Sequence, residues 1–137
     1  MPRIDPPLVA RGFALWQAAM RWQRAIDAAL RPLGLTHTQY LVLASAARAI
    51  REQRDAVAQF AIAESAGLDS ATTSILIRRL ESRGLLDRDI DGTDGRRWRV
   101  LLTQRGRSTL EKATALVEAT AAEVPPRCDL ARRAPSG

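Results

Sequence analysis

Apolar residues recur at helical spacing through the first third of the chain, in a proline-free stretch that runs from residue 8 to residue 31. One stripe has a 4-3-4-3-4 spacing and consists of Leu15, Ala19, Trp22, Ile26, Ala29 and Leu33. A second stripe beside it consists of Phe13, Trp16 and Met20. A helix at the edge of a small monomer needs only one buried stripe, so this width predicts packing against a second subunit. The alternative is that the second stripe packs within its own subunit. Residues 1–7 contain three prolines and are expected to be irregular.

A second helix is predicted after a break at Pro32 and Gly34. Thr36 and Gln39 have the spacing of a capping box, in which each side chain bonds to the other residue's backbone N–H. The helix is expected to continue to about Ile50. Its inner face is expected to consist of Tyr40, Leu43, Ala44 and Ala47.

The next stretch predicts two short helices separated by a sharp turn. The first helix includes Gln59–Ala66, and Gly67 then suits a left-handed turn. Asp69 or Ser70 is expected to cap the second helix, which ends before Gly84. The spacing typical of a helix-turn-helix is carried by Ile62, Ala63, Gly67, Thr73 and Leu76.

Two β-rich runs follow at residues 85–91 and 96–103, and the Gly/Asp-rich residues 92–95 between them predict a hairpin. A hairpin directly after a helix-turn-helix is a wing. Alternation along the second run is expected to place one set of side chains against the helices, namely Trp98, Val100 and Leu102. Arg97 and Arg99 are expected on the opposite face.

The net charge of the chain indicates what kind of partner it binds. The 137 residues carry a formal net charge of +6, and 20 of the 21 basic residues are arginine. Nine arginines lie between residues 78 and 107, which is the most basic segment. The planar guanidinium group suits phosphate oxygens and guanine edges. The charge therefore favours a polyanionic partner such as double-stranded DNA, and a solvated basic face is the alternative.

The residue inventory argues against several other classes of protein. One cysteine, Cys128, and one histidine, His37, leave no set of ligands for zinc and no intramolecular disulfide, so no metal or cofactor is expected. His37 is interpreted as a polar residue near a helix start. No Gly-rich phosphate loop, nucleophile elbow or Ser/His/Asp set is present in the sequence, so an enzyme is not expected. The absence of a long apolar run and of an export signal predicts a cytoplasmic protein that does not contact membranes.

Three segments together resemble the MarR family of winged-helix transcriptional regulators. They are residues 34–43 (GLTHTQYLVL), 62–88 (IAESAGLDSATTSILIRRLESRGLLDR) and 94–106 (DGRRWRVLLTQRG). The resemblance implies a mainly α fold with a small β-hairpin wing, in which long amino- and carboxyl-terminal helices form a dimerisation region. It further implies a homodimer that binds a roughly palindromic operator as a repressor and is released by a small aromatic ligand or by oxidation.

The chain is expected to divide into four segments. They are an irregular lead with a dimerisation helix (1–35), the winged helix-turn-helix (36–103), a second dimerisation helix (104–124) and an irregular tail (125–137). Thr103 is expected to cap the second dimerisation helix. The tail is too short and too rich in proline to supply the further helix that commonly interlocks the family's dimers. The resemblance implies that thiol-sensing members carry their reactive cysteine in the first helix. Cys128 lies in the tail instead, so a peroxide sensor is not expected. The alternative function is a winged-helix protein-interaction module with weak or lost DNA binding.

The residues expected to contact DNA lie on the second helix of the helix-turn-helix and on the wing. They are Ser70, Thr72, Thr73, Ser74, Arg78, Arg79, Asp94, Arg96 and Arg97. Hydroxyl groups at a helix amino end suit phosphates and base edges, and an arginine near the hairpin tip suits a narrow minor groove. The family's Asp-x-Arg pattern implies that Asp94 holds Arg96 in place. One of Arg78 and Arg79 is expected to pair with Glu81 or its neighbours.

Two further assignments remain open at this level. Ile75 contacts a thymine methyl group if it is exposed and belongs to the core if it is buried. The residues that suit a small aromatic effector are Phe13, Trp16, Met20 and Tyr40, for which ordinary core packing is the alternative.

Overall fold

The computed structural model describes residues 6–90 and 98–123, most of which are helical. The elements are α1 (Pro6–Leu30), a 3-10 turn (Arg31–Leu33), α2 (His37–Gln53), β1 (Val57–Ala58), α3 (Gln59–Ala66), α4 (Ser70–Ser82), β2 (Leu86–Ile90), β3 (Trp98–Leu102) and α5 (Gln104–Glu123). This mainly helical arrangement with a small antiparallel sheet is the predicted winged helix-turn-helix. Among the described residues, no helix combines the length and apolar character needed to cross a bilayer.

The first helix starts two residues earlier than the apolar pattern predicts, at Pro6. The backbone N–H groups of a first helical turn have no intrahelical partner, so proline is tolerated there. Pro6 and Pro7 therefore begin α1, and the expectation that they belong to an irregular lead is wrong. At its other end the helix gives way to the 3-10 turn, which Gly34 ends with a φ of 66°.

The local capping signals are confirmed. The Thr36 hydroxyl accepts a hydrogen bond from the Gln39 backbone N–H at 3.1 Å, and the Gln39 side chain accepts one from the Thr36 N–H at the same distance. Gly67 takes the left-handed conformation, with a φ of 69°, and ends α3. Asp69, one of the two predicted caps, accepts a hydrogen bond from the Thr72 backbone N–H at 2.8 Å.

The second helix is longer than predicted, because it continues past Ile50 to Gln53. The additional residues are good helix formers, and no glycine or proline interrupts them. Arg48 and Glu52 also form an ion pair one turn apart at 3.1 Å. Arg54, the residue after the helix, takes a left-handed conformation with a φ of 58°.

The sheet contains one strand that the sequence pattern does not predict. The order is β1-β3-β2, and β1 pairs antiparallel with β3 through Val57 opposite Val100 and Ala58 opposite Arg99. Two residues are too few to show alternation, so nothing local distinguishes β1 from the helix that follows. The predicted hairpin is confirmed for β2 and β3, and its connection, residues 91–97, lies outside the described part of the chain.

The predicted inner face of β3 is confirmed only in part. Val100 is fully buried and Leu102 is half-buried against the core. Trp98 remains 43% exposed, because it lies at the end of the strand farthest from the helices.

The core lies where the second half of α1, α2, α4 and the sheet meet. Its largest fully buried side chains are Ile26, Leu30, Val42, Leu43, Val57, Ile62, Thr73, Ile77, Leu80, Leu85, Leu86 and Val100. The predicted first stripe of α1 enters this core only from Trp22 onward, since Leu15 and Ala19 are exposed. The first half of α1 thus extends beyond the protomer's own core.

Candidate nucleic-acid interface

The two faces of α4 have opposite characters. The buried face consists of Thr73, Leu76, Ile77 and Leu80. The exposed face consists of Ser70, Ala71, Thr72, Ile75, Arg78, Arg79 and Ser82, and Ser74 lies half-buried at its edge. Five of the six α4 residues expected at DNA are therefore at or beside one accessible surface. Apolar anchoring on one side leaves hydroxyl and guanidinium groups on the other.

Thr73 is the exception and requires a correction. Its side chain is 1% exposed, and its hydroxyl has no hydrogen-bond partner within the described structure. The Thr73 methyl and hydroxyl groups are enclosed by the core, so this residue is removed from the set available to DNA.

The amino end of α4 is closed by a carboxylate. Asp69 accepts hydrogen bonds from the Thr72 backbone N–H at 2.8 Å and from the Thr72 hydroxyl at 2.7 Å. These two bonds favour the ionised carboxylate and lower the pKa of Asp69 below its ordinary value. The Thr72 hydroxyl has used its hydrogen in this bond and presents its oxygen as an acceptor.

The two arginines of α4 differ in how they are held. Arg78 donates from Nη2 to the Ser74 hydroxyl at 3.2 Å, one turn earlier on the helix. Arg79 is exposed, and its guanidinium forms no hydrogen bond to any described residue. Neither arginine pairs with Glu81, so that expectation is wrong.

Glu81 instead pairs with Arg88 of β2. The Arg88 guanidinium donates to the two carboxylate oxygens at 3.0 and 3.2 Å, and its hydrogen bond lowers the pKa of Glu81. Arg88 also lies over the Trp98 ring, 4.5 Å from the centroid, where a cation is attracted to the aromatic face. Through Arg88, the end of α4 and both strands of the wing are connected. The sequence reasoning missed this cluster, although the hairpin register would have placed Arg88 and Trp98 on one face.

A second connection that the sequence reasoning missed joins α4 to the turn after α1. Arg83, which follows α4, donates to the carbonyl oxygens of Leu33 and Gly34, each at 2.8 Å. On the other side of that turn, an Asp27 carboxylate oxygen accepts a hydrogen bond from the His37 backbone N–H at 2.7 Å. Burial lowers the pKa of His37, and the nearby Asp27 charge opposes this shift. These contacts hold α1, α2 and α4 at one junction, and no local sequence pattern signals them.

The wing residues expected at DNA, Asp94, Arg96 and Arg97, all lie outside the described residues. Arg99 lies on the described strand and donates to the Ala56 carbonyl oxygen at 2.6 Å and to Asp55 at 3.5 Å. Its guanidinium therefore supports the segment that leads into β1.

Comparisons with known proteins identify this arrangement. A family model described as the MarR family matches residues 35–98, which span α2 to the first residue of β3. The uncharacterized HTH-type transcriptional regulator YdcH of Bacillus subtilis is 32% identical over 116 residues, covering 85% of this chain and 78% of that protein. The chain belongs to the MarR family. As a MarR-family protein, it is a transcriptional regulator and not an enzyme.

Two solved structures extend the MarR comparison to three dimensions. CouR from Rhodococcus jostii, in a crystal structure with bound p-coumaroyl-CoA, superposes with a TM-score of 0.71 at 34% identity over 82% of this chain and 76% of that chain. MosR from M. tuberculosis, in complex with DNA, superposes with a TM-score of 0.69 at 30% identity over 81% and 77% of the two chains. Both have the fold described above.

The four residues expected at an effector site of this MarR protein fall into different environments. Phe13 and Trp16 stack with their ring centroids 6.1 Å apart on the exposed first half of α1. Met20 is half-buried. The Tyr40 hydroxyl lies 3.3 Å from the Thr114 hydroxyl, which joins α2 to α5 next to the core.

Proposed function

We propose that this MarR-family regulator is a repressor that binds a roughly palindromic operator as a homodimer and is released by a small aromatic ligand. The observation that carries the proposal is the exposed polar face of α4, held rigidly by an apolar face on one side and by Arg88 at the base of the wing. A helix that presents hydroxyl and guanidinium groups in this way suits the major groove. The structure of MosR with DNA supports the same use of this fold.

The exposed face of α4 offers DNA two kinds of polar group, hydroxyl groups and guanidinium groups. Ser70 lies at the amino end of the helix, where a hydroxyl hydrogen and the helix dipole suit a phosphate. The Thr72 hydroxyl, whose hydrogen is bonded to Asp69, suits a donor group on a base edge. Ser74 and Arg78 form a bonded pair further along. Arg79 has an unbonded guanidinium, within the described structure, to offer to a phosphate or to guanine. Ser70, Thr72, Ser74, Arg78 and Arg79 are therefore the α4 residues that we assign to DNA.

The wing supplies a second contact in this proposal. Arg96 enters a narrow minor groove, where the negative potential is strongest, and Asp94 orients its guanidinium. Arg97 contacts the adjacent backbone. The ion pair and ring contact of Arg88, in the middle of β2, keep the two strands at a fixed angle to α4, which such a two-groove contact requires.

Dimerisation is supported by the exposed first half of α1. Five large apolar side chains in this half are exposed in the single protomer, namely Leu8, Val9, Phe13, Leu15 and Trp16. A monomer rarely exposes so many neighbouring apolar groups, and burying them against a partner removes their cost in water. Two protomers joined here present two α4 helices to one duplex.

Release by a ligand is supported by a relative that was crystallised with one. CouR, which shares the fold, was crystallised with an aromatic thioester. In this chain we assign the effector to Phe13, Trp16 and Met20 of α1 and Tyr40 of α2, which supply aromatic and soft apolar groups. A ligand there shifts the separation of the two α4 helices without touching the DNA-contacting residues.

Selection of bound sequences from random double-stranded DNA tests the proposal. Full-length protein is incubated with the library, and bound duplexes are amplified and sequenced over several rounds. The expected result is a palindromic motif whose half-sites are centred about one helical turn apart, roughly 34 Å. A featureless pool would contradict operator recognition and would favour a protein-interaction role for the winged helix.

A further inference from the structure

Ile75 differs from every other large apolar side chain of α4. Leu76, Ile77 and Leu80 are buried in the core, whereas Ile75 is 49% exposed. The core interpretation of Ile75 is therefore wrong, and its side chain is available to a partner of this helix.

The position of Ile75 is central on the exposed face. Ala71 precedes it by one turn, and Arg78 and Arg79 follow it by three and four residues, so all of them share one side of the helix. A molecule that approaches this face along the helix axis meets the Ile75 side chain between the hydroxyl groups and the guanidinium groups.

Exposure of one isoleucine is common on protein surfaces and would mean little alone. Here, however, the adjacent polar groups are held by bonds within the helix: Thr72 bonds to Asp69, and Arg78 bonds to Ser74. The middle of the face therefore offers hydrocarbon, from Ala71 and Ile75. Isoleucine also has a lower helix propensity than alanine, so neither the core nor the helix requires it at this position.

We propose that Ile75 is a specificity-determining residue that recognises thymine through its 5-methyl group in the major groove. That methyl is the apolar group that base edges present in this groove, and it distinguishes thymine from cytosine and from the purines. A β-branched side chain in a helix has one strongly preferred χ1 rotamer, so the Cγ2 methyl group of Ile75 is held in a fixed position. The inference rests on the proposed function, because it requires α4 to lie in the major groove.

Replacing thymidine by deoxyuridine in the selected operator tests the inference, because deoxyuridine keeps the pairing and the O4 acceptor but lacks the methyl. Synthetic duplexes carry this replacement at one thymine position at a time, in both half-sites. For the wild-type protein, we expect one position at which the replacement weakens binding about 15-fold, or about fourfold for each methyl group that loses its contact. The other thymine positions are expected to change binding less than about twofold.

The Ile75→Ala variant identifies the residue responsible. Alanine is the best helix former, so the variant is expected to unfold at the same temperature as the wild type or higher. Its affinities for the thymine and deoxyuridine operators are expected to agree within about twofold. Leu101→Ala is the matched control, since Leu101 is an exposed leucine on β3, 41% accessible. This control should retain the full 15-fold sensitivity.

The outcomes separate this inference from the proposed function. If specific binding is found but no thymine methyl matters, or if Ile75→Ala keeps the sensitivity, the role of Ile75 is overturned while operator binding stands. If the library yields no motif, the proposed function fails and the inference fails with it. If Ile75→Ala is found to unfold, Ile75→Val is the second variant. It retains two methyl groups and should keep most of the sensitivity to deoxyuridine, and loss of that sensitivity would contradict a contact through hydrocarbon alone.

Discussion

Two residues, Thr103 and Gly106, hold the start of α5 against the segment that follows α4. The Thr103 hydroxyl accepts a hydrogen bond from the Gly106 N–H at 2.9 Å, as predicted for the helix cap, and it donates toward the carbonyl oxygens of Gly84 at 2.7 Å and Leu85 at 3.0 Å. A Cβ atom at Gly106 would overlap the Leu85 carbonyl oxygen. Glycine is therefore required where α5 begins.

Gly106→Ala is expected to lower the free energy of unfolding by about 3 kcal/mol, because the new methyl group must displace backbone. Urea denaturation measures this change. Gly12→Ala is the control, since nothing lies within 4 Å of a Cβ atom there and α1 gains a better helix former. That variant should be as stable as the wild type or more stable by up to about 1 kcal/mol. Equal stability of the Gly106 variant and the wild type would contradict the close approach.

The ion pair at the base of the wing predicts a pH dependence. Because Arg88 lowers the pKa of Glu81 in the folded protein, the pair stabilises the fold above the ordinary glutamate pKa. This contribution is lost as the pH falls through the lowered value. Arg88→Ala is expected to raise the pKa of Glu81 toward its ordinary value, as measured by NMR titration of the side-chain carboxyl carbon. Arg48→Ala, which removes an exposed ion pair on α2, should leave Glu81 unchanged. An unshifted Glu81 in the Arg88 variant would rule out the coupling.

At the level of elements, the sequence predicted what local chemistry determines. The capping box at Thr36, the turn at Gly67 and the helical character of residues 59–66 follow from residues within a few positions of each other, and all are confirmed. The strand β1 was missed because it exists through pairing with β3, more than 40 residues later. The end of α2 was placed too early because residues 51–53 are polar and do not extend the apolar face.

In the candidate interface too, local sequence predicted some features, whereas others depend on contacts between distant residues. Helical periodicity placed five α4 residues on or beside one accessible face, but it did not exclude Thr73, whose burial depends on the surrounding core. The contact of Arg83 with Leu33 and the ion pair of Arg88 with Glu81 each join different elements, so no spacing rule reveals them. Likewise, the exposure of Ile75 could be recognised only from the folded structure.

The junction made by Arg83 is testable as a connection between elements. Arg83→Ala removes two charge-assisted hydrogen bonds to the carbonyl oxygens of Leu33 and Gly34, and it is expected to lower the free energy of unfolding by about 2 kcal/mol. Thermal and urea unfolding give the value. The neighbouring control is Arg79→Ala, which removes an exposed guanidinium without described bonds and should change stability by less than about 0.5 kcal/mol. If the two variants are equally stable, the Arg83 contacts do not hold the junction.

For the whole molecule, the exposed half of α1 is the feature that a single protomer leaves unexplained. Trp22 packs against its own core, whereas Trp16 is 57% exposed, so Trp16 is the better probe of association. Trp16→Glu is expected to convert a dimer to a monomer at micromolar concentration, because a charge is costly in an apolar interface. Light scattering after size-exclusion chromatography measures the mass. Phe60→Glu, which changes an exposed aromatic residue on α3, should remain dimeric. A dimer in both variants would place the interface elsewhere.

The central claim is that two α4 helices, held at a fixed separation by one dimer, read two half-sites on the same side of a duplex. Inserting five base pairs between the half-sites of the selected operator turns one of them to the opposite side. The account predicts that affinity then falls at least about 100-fold, to that of a single half-site, while the same insertion outside the half-sites has no effect. Unchanged affinity after the central insertion would contradict the account.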